Sequence, residues 1–178
     1  MIIKGKKIIL RQLKKADDKS LFKYANDRLI SQYTMVPYPY TLAMAQAFIK
    51  DTAKKIKADV SYDFGIVAEG SGEVVGMTAI RVIEGKAKVG EIGYWLGRKY
   101  WGKGIVSEAV TMMLKFAFKD LKLNKVHAKV MRPNTASIKI LGKNNFMLEG
   151  MLRKHEYKLG KIHDVLVFGL LKEEYKKK

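Results

Sequence analysis

Apolar residues change period several times along the chain, and the changes mark out its elements. Lys7–Leu13, with Ile8, Ile9 and Leu10 at its centre, reads as a short strand. Ala16–Asp27 follows with Leu21, Phe22 and Ala25 on one helical face and acidic residues at its start. Ser31–Tyr40 carries two prolines and three tyrosines and reads as a loop. Thr41 then has the oxygen to cap a helix running to about Ala58, with Ala45, Phe48, Ile49, Thr52 and Ile56 in register.

Beyond Ala58 the period shortens. Tyr62–Glu69 and Glu73–Ile83 are β-branched runs separated by Gly70-Ser71-Gly72, a hairpin signal. A turn at Glu84–Ala87 leads into a third run, Lys88–Leu96. A glycine-bearing segment precedes an amphipathic helix over Ile105–Leu121, striped by Val106, Val110, Met113, Leu114, Ala117 and Leu121. Lys125–Met131 reads as a strand and Asn134–Asn144 as a short helix. Phe146–Lys158 and His163–Leu171 pair around Gly160. The order is one strand, two helices, three antiparallel strands, helix, strand, helix and two strands. That is an α+β fold with a mixed, mostly antiparallel central sheet. Neither repeat nor linker interrupts it, so residues 1–178 read as one domain, with a frayed lysine-rich tail from about residue 174.

Composition narrows the chemistry. The absence of cysteine removes disulfides, thiolate metal sites and a cysteine nucleophile. It also fits a reducing, cytoplasmic setting. No apolar stretch approaches membrane-spanning length, and Met1–Leu13 lacks a signal-peptide block. His127, His155 and His163 show no metal-ligand spacing, so no metal is expected. Thirty-five Lys and Arg against seventeen Asp and Glu give a formal charge of +18. Such a field either attracts polyanions, among them RNA, a ribosome surface and phosphorylated cosubstrates, or serves solubility.

The segment Glu91-Ile-Gly-Tyr-Trp-Leu-Gly-Arg-Lys-Tyr-Trp-Gly-Lys-Gly-Ile carries the strongest chemical signal. A strand runs into a loop holding Gly102 and Gly104, and a long helix follows at once. The first turn of a helix offers backbone N–H groups without intrahelical partners, and its dipole adds partial positive charge. Glycines let a phosphate approach the backbone closely. The combination suits a pyrophosphate, helped by Lys99 and Lys103. The spacing matches neither a Walker A loop nor a Rossmann fingerprint.

Lys99-x-x-Gly102-x-Gly104 resembles the Gln/Arg-x-x-Gly-x-Gly/Ala loop of the GNAT superfamily of N-acetyltransferases, with Lys at the first position. Tyr94–Ala109 is similar to its RimJ/RimL-type branch of ribosomal-protein N-terminal acetyltransferases. The segment Arg132-Pro-Asn-Thr-Ala-Ser-Ile-Lys-Ile-Leu-Gly-Lys-Asn-Asn-Phe146, followed by Glu149-Gly150, Arg153, Gly160 and Asp164, agrees. The resemblance implies a splayed strand pair holding acetyl-CoA as cosubstrate. Tyr94, Trp95 and Leu96 would border the pantetheine. Lys99, Tyr100, Trp101, Gly102, Lys103, Gly104 and Ile105 would form the pyrophosphate loop. Asn134, which also reads locally as a helix cap, would touch the pantetheine arm.

The family's usual tyrosine acid would fall at Leu141, so Ser137 is the candidate donor to the departing thiolate. The local alternative is a helix serine bonded to its own backbone. A protonated amine needs a base, and Glu91 at the cleft is the first candidate, balanced by a reading as an exposed strand-end carboxylate. Glu149 and Asp164 are weaker candidates. Asn145 replaces the usual glycine at a helix C-cap that requires positive φ. The implied acceptor is a primary amine, most directly a ribosomal-protein or peptide N-terminus. A small-molecule amine is the alternative, and a nucleic-acid-associated module is the rival from another class. Ser31–Tyr40, with Tyr33, Tyr38 and Tyr40, and Arg153–Ile162 would line the acceptor side. The chain is expected as a monomer or homodimer.

Overall fold

In the computed structural model, residues 1–83 and 85–175 are described. Eight strands form one sheet: β1 (Ile2–Lys4), β2 (Ile8–Arg11), β3 (Ser61–Ala68), β4 (Val74–Ile83), β5 (Val89–Leu96), β6 (Lys125–Met131), β7 (Met147–Lys158) and β8 (Lys161–Leu171). Their spatial order is β1-β2-β3-β4-β5-β6-β8-β7. Every pairing is antiparallel except β5 with β6, so the expected mixed, mostly antiparallel sheet is the one formed.

The helices are α1 (Asp18–Ala25), α2 (Arg28–Ser31), α3 (Leu42–Lys57), α4 (Ile105–Lys115), α5 (Thr135–Lys143) and α6 (Lys172–Tyr175). Thr41 caps α3, its side chain accepting from the Met44 N–H, and Asn134 caps α5 by accepting from the Ser137 N–H. Asn145 closes α5 with φ of 65°, the left-handed conformation its position requires. Among the described residues, no helix is long and apolar enough to cross a membrane.

Two apolar cores sit on opposite faces of the sheet. One joins Ile105, Ala109, Val110, Met113 and Leu114 of α4 to Ile80, Ile92, Val126 and Leu141. The other joins Leu21 and Ala25 of α1, Ala45 of α3, and Val74 and Met77 of β4. Alternation along β5 therefore sends Ile92, Tyr94 and Leu96 toward α4, and Glu91, Gly93 and Trp95 toward α1 and α3.

Three details differ from the periodicity. Ile2–Lys4 adds a short edge strand, too brief to carry a pattern of its own. The helix expected through Leu121 leaves α geometry at Phe116 and closes with a π turn over Phe116–Asp120, the Leu121 N–H donating to the Phe116 carbonyl. Phe116, Ala117 and Phe118 are buried in succession there, and Phe116 meets Tyr62 and Phe64 edge to face. In the segment expected to fray, Glu174 and Tyr175 belong to α6, and Tyr175 packs against Phe118. Lys176–Lys178, and Glu84 in the expected turn, lie outside the described residues.

Leu141 is fully buried between α5 and the sheet. Leu141→Ala should lower the unfolding free energy by about 2–5 kcal/mol, measured by urea denaturation; a loss below 1 kcal/mol would show a site that collapses freely.

Candidate active site

Strands β5 and β6 are paired only over Val89–Lys125, Gly90–Val126 and Glu91–His127. From Ile92 onward β5 keeps its bonds to β4, and from Ala128 onward β6 keeps its bonds to β8, but the two no longer meet. A cavity of about 530 Å³ opens at this divergence. It is lined by both diverging strands, by Asn134 and Ser137, by parts of α1, α3 and the loop after α2, and by His155 and Glu156 of β7. Backbone groups on the freed edges can pair with an extended, amide-bearing ligand.

At the end of β5 the chain makes a tight turn over Arg98–Tyr100. Trp101, about half exposed, folds back so that its indole N–H donates to the Leu96 carbonyl (2.6 Å). Gly102 and Gly104 adopt φ of 73° and 76°, and nothing lies within 4 Å of the position a Cβ would take at either. Gly104 is the N-cap of α4. Among the described residues, the backbone N–H groups from Gly102 to Ser107 donate to no protein acceptor. This exposed run at a helix N-terminus fits a pyrophosphate. Lys99 and Lys103 are exposed beside it, Lys103 lying over the Tyr100 ring at 5.5 Å. Tyr100 turns toward α1, its ring 5.7 Å from Tyr24. Leu96 and Ile105 are buried in the core and fix the two ends of the loop.

Tyr94 and Trp95 both line the cavity, from opposite faces of β5. The Tyr94 hydroxyl lies 2.7 Å from Ser137 Oγ. Burial pushes the Tyr94 phenol up to about 12, against a smaller opposing effect of the Ser137 bond, so it stays protonated at neutral pH. The Ser137 hydroxyl is thus held by a side chain from another element; its backbone N–H goes to the Asn134 cap.

Glu91 sits on the other face and is not a free strand-end carboxylate. The Arg81 guanidinium donates to it at 2.6 Å, and His127 Nε2 lies 3.8 Å away. Burial holds His127 below its ordinary value despite Glu91, leaving the ring neutral at pH 7. Of the weaker candidates, Glu149 pairs with Lys125 (2.6 Å) and Asp164 with Arg132 (3.5 Å), and neither lines the cavity.

On the acceptor side, Tyr33 and Tyr40 line the cavity, while Tyr38 is exposed and does not. The loop is tied to β7 by the Lys158 ammonium, which donates to the Val36 carbonyl (3.0 Å). Two cavity residues drew no notice in the sequence. Asp63 Oδ2 and Thr78 Oγ1 are buried with no hydrogen-bond partner among the described residues. For Asp63 a signal was present: a carboxylate inside the apolar run Tyr62–Glu69.

A model of the acetyltransferase (GNAT) domain matches residues 7–147. An uncharacterized N-acetyltransferase p20 from Bacillus licheniformis is 37% identical over 174 residues, covering 95% of each chain. A ribosomal-protein-serine acetyltransferase from Escherichia coli is 32% identical over 85 residues, 48% of each chain. The crystal form of RimL, a ribosomal-protein α-N-acetyltransferase in complex with coenzyme A, superposes with a TM-score of 0.89 over 98% of this chain and 99% of that one, at 22% identity. The divergent strand pair, the open glycine loop at the start of α4 and these matches agree, and the chain belongs to the GNAT acetyltransferases, as an acyl-CoA-dependent N-acetyltransferase.

Proposed function

We propose that the protein transfers an acetyl group from acetyl-CoA to the α-amine of a peptide or protein N-terminus of the ribosomal-protein type. The observation that carries the transfer is the divergence of β5 from β6 beside the open loop at Gly102–Gly104. Support for the acceptor class is the relative that acts on a ribosomal protein. The charge of +18 favours both the phosphates of CoA and a ribosomal RNA surface. A small-molecule amine is the second reading, favoured by the cavity's depth and its cover by the loop after α2.

In the proposed reaction the deprotonated amine attacks the thioester carbonyl and CoA leaves as thiolate. The amides of Gly102–Ser107 hold the pyrophosphate, while Lys99 and Lys103 add charge. Tyr94, Trp95 and Leu96 border the pantetheine along the freed edge, and Asn134 approaches it from the cap of α5. A backbone N–H of β5 polarises the carbonyl. With Tyr94 as the donor in the hydroxyl pair it shares with Ser137, the Ser137 hydroxyl would be free to donate a hydrogen bond to the departing sulfur. Glu91, through water, takes the proton of the amine, and the Arg81 guanidinium holds the carboxylate in place. Catalysis then rests chiefly on positioning.

The direct test is acetyl-CoA with a panel of peptides bearing different N-terminal residues, followed by mass spectrometry. An α-acetylated product supports the acceptor assignment; acetylation confined to small amines moves it to the second reading. Gly102→Asp places a carboxylate at the pyrophosphate position. It should abolish the thermal stabilisation by acetyl-CoA, about 2.7 kcal/mol at a hundredfold excess over Kd for the wild type, and retained stabilisation would remove the loop from the site. Ser137→Ala should lower kcat about tenfold with acetyl-CoA affinity unchanged; an unchanged kcat makes the hydroxyl structural. Glu91→Gln should lower kcat about 100-fold and remove the acidic limb of the pH–rate profile, because only the ionised carboxylate accepts the proton. An unaltered profile excludes Glu91 as base.

A further inference from the structure

Asp63 lies at the middle of β3, under α3, and its residue surface is 8% exposed. Its Oδ2 is buried and has no hydrogen-bond partner among the described residues, and the residue is part of the cavity wall. Burial pushes this carboxyl above its ordinary value, against smaller opposing effects of the Ser61 hydroxyl and the Lys55 ammonium, and leaves Oδ2 without a donor of its own. The cation available across the strands does not relieve it. Arg81 stands two residue pairs along, opposite Ser61, and directs its guanidinium to Glu91. On α3, Lys55 is paired with Asp51 at 2.6 Å.

The row of the sheet containing Asp63 is unusual. Asp63 pairs with Ala79, and Ala79 pairs with Gly93. All three point to the face of α1 and α3. Nothing lies within 4 Å of a Cβ built on Gly93. Small residues at Ala79 and Gly93 leave an unobstructed floor running from the divergence of β5 and β6 to the Asp63 carboxyl. Larger neighbours, Met77 with Trp95 and Arg81 with Glu91, flank this floor on either side. Two strand spacings separate Asp63 from β5, about 10 Å, too far for it to touch an amine attacking a thioester at β5.

We infer that Asp63 is a second acceptor-binding group, which receives a hydrogen-bond donor, best an ammonium, carried by the acceptor on the order of 5–10 Å from the nitrogen that is acetylated. This rests on the transfer reading of the cavity but not on the acceptor being a peptide. It makes Asp63 a specificity residue: the Ala79–Gly93 floor admits the linking chain, and the apolar walls from Leu21, Tyr40, Phe48 and Trp95 cover it. The residue's lost hydration is recovered only when such an acceptor is present, which penalises acceptors lacking the second donor.

The test pairs acceptors that differ in that donor alone: putrescine with butylamine, and Lys-first with norleucine-first peptides of otherwise identical sequence. The wild type should favour the member with the second donor in kcat/KM, and Asp63→Asn should reduce that preference by about 10–100-fold, the range for a hydrogen bond to a charged group. Asp63→Asn and Asp63→Leu should both keep the acetyl-CoA thermal shift and melt no lower than the wild type, because no native hydrogen bond of Oδ2 is lost. Equal use of both members of each pair, or a preference unchanged in Asp63→Asn, overturns the inference. So does a lowered melting temperature with the preference retained, which would make Asp63 structural. If putrescine is favoured and peptides are not acetylated, the N-terminal assignment fails while the Asp63 role stands; if both peptides react equally, the reverse holds. No turnover with any of the four overturns both.

Discussion

The loss of pairing between β5 and β6 after Glu91 governs the site. Two parallel strands that separate leave backbone donors and acceptors on both freed edges, which is costly in a sheet interior unless water or a ligand takes them. The separation is sustained because each strand is held from its other side. β5 is bonded to β4 through Leu96, and β6 to β8 through Met131. The core on the α4 face anchors both strands, through Ile92 and Leu96 of β5 and Val126 and Val130 of β6. The gap is therefore a property of the folded frame, with no dependence on a bound molecule.

Helix α4 depends on the same frame. Its inner face, from Ile105 to Leu114, is buried against the sheet, which fixes the axis and so the place where its first-turn amides emerge. That place is the mouth of the gap. The left-handed Gly104 is what lets the chain leave β5 and enter the helix without a side chain over those amides. A glycine pair alone would say little; its value comes from standing where a freed strand edge meets a helix N-terminus.

This explains which features could be read from the chain. The glycine loop, the Gly70–Gly72 hairpin, the Asn134 cap and the positive φ of Asn145 are local, set by a few consecutive residues, and each is found as its residue types suggest. Features that depend on register or docking were not readable. Arg81 meets Glu91 only because β4 and β5 pair in that register. Tyr94 meets Ser137 only because α5 docks where it does, forty-three residues later. The π turn answers to Phe64 and Tyr62 across the core, which no period in Phe116–Asp120 announces. The carboxylate of Asp63 inside an apolar run was visible in the chain, but its place in the cavity wall depends on the pairing of β3 with β4.

The two faces of the sheet also divide the chemistry by charge. Tyr94 and Ser137 approach the gap from the α4 and α5 side, whereas Glu91 and Asp63 lie on the α1 and α3 side. On the proposed assignments, the amine arrives among carboxylates and the sulfur departs among hydroxyls. The gap is the one place where they meet. The chain is strongly cationic, at +18 overall, which suits the phosphates assigned to the outer loop in the proposed reaction. A cationic acceptor is repelled by that exterior at long range, but salt screens the repulsion beyond about 10 Å. Inside the cavity Arg81 is paired with Glu91, and the Asp63 carboxyl has no such partner. On the proposed assignments, the Asp63 carboxyl would offer a cationic acceptor a partner inside a positively charged protein.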